Sequence, residues 1–203
     1  MARFLAVSLI LALGTGHAAL ESRAYAAITR GTADRPLDEA PIDILWLASA
    51  LSLIALEVTA LIVATLWSDP SASRAVLAAF GALAAAVGIA IRIRSITALG
   101  PGFARPPGDT PPSRLLTAGP FGVVRHPSEL GLLLISLGMT AIAPAWPTLA
   151  LMTFAVVPLM ALRIAREERV LRLCFSSIHA AYVAETPLIF PAPSSWRRLL
   201  REP

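Results

Sequence analysis

The stretch RHPSELGLLLISLGMTAIA, residues 125–143, sets an arginine, a histidine and a glutamate at the mouth of an apolar helix. Pro127 suits the first turn of such a helix, where its missing N–H has no partner to lose. The apolar run covers 130–143, and only Pro144-Ala145-Trp146-Pro147 separates it from a second run, 148–162. A connection this short makes the two runs the arms of an antiparallel hairpin. Pro158 is expected to kink the second arm, which neighbouring helices in a membrane tolerate.

The rest of the chain agrees with a bilayer setting. Its 203 residues are 56% hydrophobic and 15% charged, with a mean hydropathy of +0.71. A soluble domain carries about 25% charged residues. Three further apolar runs precede the hairpin: 4–20, 44–67 (interrupted by Glu57) and 75–91. The second is long enough to span hydrocarbon at ~1.5 Å per residue. Trp46 and Trp67 lie near its ends, where amphipathic rings prefer to sit. The third is rich in alanine with Gly81 and Gly88, small residues that let helices approach closely. The reading is an all-α integral membrane bundle of about five transmembrane helices, with the hairpin and a cytoplasmic C-terminal helical region. Residues 19–43 and 99–125 are expected to be polar loops, and Arg92 and Arg94 to end the third span.

All 17 basic residues are arginine, and the sequence pI is about 10.5. Most lie just outside apolar runs, which marks orientation in a bilayer rather than a nucleic-acid footprint. With the N-terminus outside, fifteen arginines fall on the inner side and only Arg3 and Arg74 on the outer side. The first run also resembles a signal peptide ending in small residues. Its removal would put the arginine-rich loops outside, so it is read as a retained span. The expected location is a multi-pass position in a membrane, the inner one in a bacterium, with the active site on the cytoplasmic side. The lone Cys174 excludes a disulfide framework, and His17, His126 and His179 are too far apart in sequence to read as a metal site. No metal and no nucleic-acid partner are expected. Membrane lipids are, and the oligomeric state is left open.

Two clusters carry chemistry. Arg125 and His126 stand at a helix N-terminus with free amides and a positive dipole end, an anion site for a carboxylate or phosphate. After the hairpin, RIAREER (163–169) places Arg163 and Glu167 four apart on one helix face, with Glu168 about 100° round. The hairpin brings both clusters to one membrane surface, where they would grip a zwitterion. Read separately, they are a headgroup-contacting arginine and a solvated juxtamembrane helix. Glu57, an acid in mid-span, is a candidate functional group by placement, or an acid that serves helix packing.

Residues 115–127, LLTAGPFGVVRHP, resemble the LVTxGPYRYVRHPxYxG signature of the isoprenylcysteine carboxyl methyltransferase family, itself similar to phospholipid N-methyltransferases. Arg166–Leu171 resembles that family's xEExL, Phe175–Tyr182 its FGxxYxxY, and Thr186–Pro191 its VPRxxP. Ala98-Leu99-Gly100 also fits. The resemblance covers about residues 90–191 and divides the chain into N-terminal spans (1–90) and a methyltransferase core with a cofactor-binding tail (91–203). It implies a membrane methyltransferase using S-adenosylmethionine. The implied cofactor contacts are Ser113, Arg114, Leu115, Leu116, Phe121, Arg125, His126, Pro127, Ser128, Glu129, Glu167, Glu168 and Tyr182. The implied substrate-orienting residue is Arg163. The implied acceptor is lipophilic or lipidated: first the carboxyl of an isoprenylcysteine-like compound, then a phospholipid amine, then a small thiol. Three positions depart from the family: Glu129 and His179 stand where it has tyrosine, and Ser176 where it has glycine. They are also the features that would fit a non-catalytic membrane protein keeping the fold.

Overall fold

The structure is a computed structural model that describes residues 2–29, 44–66, 72–100 and 114–192. Every regular element among them is helical: α1 (Ala2–Thr29), α2 (Ile44–Leu66), α3 (Ala72–Leu99), α4 (Pro120–Val123), α5 (Pro127–Ile142), α6 (Trp146–Leu151) and α7 (Val157–Glu185). A π-helical turn, Met152–Val156, joins α6 to α7.

Among the described residues, four helical stretches are long and apolar enough to cross a membrane: Phe4–Ala24, Ile44–Leu66, Ser73–Leu99 and Trp146–Glu185. The remaining expected span is α5. It has 16 residues, about 24 Å at ~1.5 Å per residue, which is short of the hydrocarbon thickness. Its reach is limited by His126 as N-cap and by the break at Ala143-Pro144.

On α2 the buried residues Ser49, Ser52, Leu56, Ala60 and Val63 recur at three or four positions, one inward stripe. Leu47, Leu51, Ile54, Val58 and Ile62 point outward, as a lipid-facing surface requires. The core joins Ile10 of α1, Leu56 and Ala60 of α2, Leu132, Ile135 and Met139 of α5, and Met160 and Ile164 of α7.

The closest helix pair is α3 with α5, and glycines make it possible. A Cβ on Gly88 would lie 2.5 Å from the Gly131 carbonyl oxygen, and one on Gly81 2.6 Å from that of Gly138. Two glycines seven residues apart on each antiparallel helix thus bring the backbones together. At one end of the bundle the Arg74 Nη1 donates to the Pro144 carbonyl (3.3 Å), tying α3 to the hairpin turn. Thr148, fully buried, fixes that turn: its hydroxyl accepts from the Ala145 amide and donates to the Ala143 carbonyl.

Three expectations change. Residues 19–29 are the last turns of α1, not loop, because Glu21 on this stretch finds a buried partner; residues 30–43 lie outside the described ones. The third helix runs past Arg92 and Arg94 to Leu99, because Arg92 turns inward instead of marking the membrane edge. Pro158 is accommodated by the π-helical turn ahead of it, where the Val157 amide reaches back to the Met152 carbonyl. The wider turn eases the clash of a proline ring with the carbonyl four residues earlier. Trp67 and the 193–203 tail, including Trp196, lie outside the described residues.

Candidate functional site

The site forms at the end of the bundle opposite Pro144. The short helix α4 ends at Val123, and the linker Val124–His126, extended at Val124, leads into α5. Across this linker lies the segment that follows α7. The amides of Arg125 and His126 donate to the carbonyls of Pro187 and Leu188 (2.9 and 3.0 Å). The Tyr182 hydroxyl donates to the Phe121 carbonyl (2.7 Å). Tyr182 is therefore a strap that holds the loop to the tail.

His126 is 2% exposed and is the hub. Its Nε2 lies 2.8 Å from Glu168 Oε1, and its Nδ1 3.5 Å from Glu167 Oε2. Burial works against the charged imidazolium. The hydrogen bonds to Glu167 and Glu168 and the charges of Glu167 and Glu129 outweigh burial, and the pKa is pushed up to about 9. Arg125 Nη1 donates to Glu168 Oε2. One turn along, buried Glu129 faces Arg163 Nη2 at 3.5 Å. Arg125, His126 and Arg163 thus meet Glu129, Glu167 and Glu168, three cations against three acids when His126 is protonated.

The Arg125–His126 pair is accordingly not the open anion site that the sequence suggests. Glu168, two residues past the Arg166 of RIAREER, already occupies it, because the hairpin folds the acid onto the pair. Some hydrogen-bonding capacity remains unused. Arg125 Nε is buried without a hydrogen-bond partner, and the Glu167 side chain is 47% exposed. One donor atom each of His126, Glu129 and Glu167 lie within 4.8 Å of one another. A metal there would have to displace the His126 proton and the Arg163 contact, so the group acts as a charge cluster.

The other expected contacts divide. Leu115, Leu116 and Phe121 are half-buried beside the linker, Pro127 and Ser128 are buried in the first turn of α5, and Arg114 is exposed. Ser113 lies outside the described residues. His179 is buried, with Nε2 3.5 Å from Glu168 Oε2 and no hydrogen bond. Ser176 breaks α7 with a φ of 41°, the left-handed region that glycine enters freely.

Sequence reasoning missed the layer behind Ser128. Arg92, 5% exposed, donates from Nη1 to Ser128 Oγ (2.6 Å) and grips Glu21 with Nε (3.0 Å) and Nη2 (2.5 Å). His17 Nε2 lies 2.9 Å from Glu21 Oε2, one turn back on α1, but out of line for a hydrogen bond. The i, i+4 pair His17/Glu21 was the available signal, hidden because α1 was expected to stop at its apolar run.

A cavity beside Arg163 is lined by Ser49, Ser52, Leu53, Leu132, Val156 and Met160. Both serine hydroxyls donate to carbonyls of their own helix, so they present little free polarity to it. Arg163 is its one charged wall.

Compared with known families, residues 76–177, just over half of the chain, match the family model described as phospholipid methyltransferase. Compared with curated proteins, the chain finds no match.

Proposed function

The chain belongs to the phospholipid methyltransferase family, and on that premise we propose that it transfers a methyl group from S-adenosylmethionine to a lipophilic acceptor reached from the bilayer, most directly a carboxylate such as that of an isoprenylcysteine-like compound. The observation that carries this reading is Arg163. It stands between the buried Glu129 and a largely apolar cavity, so a carboxylate arriving from the lipid side meets one cation, shared with Glu129 at 3.5 Å.

The charge cluster suits the cofactor. A zwitterion with an added sulfonium needs a donor for its carboxylate and acids for its cationic groups. The free Nε of Arg125 and the exposed side of Glu167 supply these, and Glu129 adds a negative charge nearby. S-adenosylmethionine brings an already activated methyl group, so the protein's task is position and exclusion of water. His126 and Glu168 fix the hairpin across the site. Phe121, Tyr182 and the 187–188 segment cover it. Arg163 orients the acceptor, whose ionised oxygen needs no base. The inner-side excess of arginines, with the buried Arg92 set aside, supports a cytoplasm-facing site.

A phospholipid amine is the second reading, favoured by the family description. An ammonium must lose a proton before methylation, and Glu129 is the acid in position to take it.

Methyl-labelled S-adenosylmethionine supplied with a prenylcysteine or with an aminophospholipid separates the two. A carboxyl methyl ester releases its label in alkali, whereas an N-methyl product keeps it. The carboxylate reading expects alkali-labile label that Arg163→Ala reduces at least tenfold. Alkali-stable label on the lipid amine would replace it with the second reading. Absence of transfer to any lipophilic acceptor would oppose both.

A further inference from the structure

A second cavity, about the size of one water molecule, lies deeper in the bundle between α1, α2 and α5. Its walls are apolar except for three groups: His17, Glu57 and Ser136. Ser136 is 1% exposed and its Oγ has no hydrogen-bond partner. Glu57 enters from mid-α2, and Gly14 makes way for it: a Cβ at that glycine would stand 3.3 Å from Glu57 Oε2. Leaving the Ser136 hydroxyl unmet costs about 1–3 kcal/mol. That hydroxyl, with an acid and an imidazole lining the same small space, points to something that hydrogen-bonds with it.

The cavity is next to the one at Arg163. Leu53 and Leu132 line both, so two leucine side chains are their shared wall. From Ser49 or Ser52 to Glu57 the α2 axis advances about 8–12 Å at ~1.5 Å per residue. A chain anchored by its carboxylate at Arg163 and laid along α2 would bring its middle past these leucines to the polar cavity.

We propose that the cavity formed by Glu57, His17 and Ser136 is a specificity subsite for one hydroxyl group carried partway along the acceptor's apolar chain. This rests on the acceptor reading of the Arg163 cavity. A hydroxyl fits a water-sized space, and it both donates and accepts, as an acid, an imidazole and a serine together require. A site built to hydrogen-bond a hydroxyl discriminates strongly against the analogue that lacks it. The matching position is about six to nine carbons from the carboxylate, for C–C bonds of ~1.5 Å.

The test uses the full chain in detergent, without cofactor, and measures binding of stearate and of its 2-, 9- and 17-hydroxy derivatives. The expected result is a tenfold or larger preference for 9-hydroxystearate over stearate, with no gain for the other two. Ser136→Ala and Glu57→Gln should each abolish that preference while leaving stearate binding unchanged. Stearate binding that ignores the hydroxyl position, or a preference that survives both variants, would mean that the cavity holds an internal water only. The acceptor reading would stand in that case. If Arg163→Ala leaves stearate binding unchanged, or none of the four probes binds, the acceptor reading fails and the subsite falls with it.

Discussion

His126 and Glu168 are joined across the hairpin, Nε2 to Oε1, at 2.8 Å, with the imidazole 2% exposed. The contact closes the site, and its strength depends on the proton. The pKa of His126 is raised from 6.5 to about 9. A raised pKa in the folded state contributes stability that is complete below about pH 6.5 and is lost as pH rises through about 9. The full effect is on the order of 3 kcal/mol. Thermal unfolding in detergent should show a fall in Tm between pH 7 and 9.5 that His126→Gln largely removes.

Glu21 is the counterion of the buried Arg92, although the two are 71 residues apart. Removing one partner of a buried pair costs about 3–5 kcal/mol, because the other charge is left stranded. Glu21→Ala should approach that loss in unfolding free energy. Because Glu21 is itself partly open to solvent, the lower end is expected. The exposed Arg172→Ala should stay within about 0.5 kcal/mol.

The α3–α5 contact predicts opposite effects for two glycines. Gly131→Ala places a methyl 2.7 Å from the Gly88 carbonyl oxygen, and the helices must part. A loss of about 1–3 kcal/mol or more is expected. Gly16 on α1 has open space around it, so Gly16→Ala should gain up to about 1 kcal/mol from helix propensity. Denaturant unfolding of both variants checks the pair.

Ser176, at φ 41°, bears a side chain where the backbone favours none. Left-handed geometry costs a non-glycine residue roughly 1–2 kcal/mol. Ser176→Gly should raise Tm by several degrees, and Ser176→Val should lower it.

Much of this molecule was legible in its sequence for a physical reason. Apolar runs of bilayer length, a proline at a helix start and a four-residue connection constrain the chain locally. They specify the helical bundle, the hairpin and the arrival of both charged clusters at the same end of it, but not that Glu168 fills the Arg125–His126 site. Contacts between distant segments were not legible. Nothing near Arg92 announces Glu21, so the arginine passed for a membrane-edge charge and the end of α1 for a loop. The resemblance places Tyr182 among cofactor contacts, and its motif does not announce that its hydroxyl donates to the Phe121 carbonyl. The positive φ of Ser176 is likewise visible only in the backbone, and it is the geometry that glycine would adopt there without strain.

The function proposed above requires the charge cluster at the hairpin mouth to hold S-adenosylmethionine. Calorimetric titration of the detergent-solubilised chain with that compound tests it most directly, beside His126→Ala and Glu167→Ala variants. Binding to the wild type that each substitution weakens tenfold or more, about 1.4 kcal/mol, is the predicted result. A folded wild type that binds no S-adenosylmethionine, or variants that bind it as tightly as the wild type, would contradict the claim.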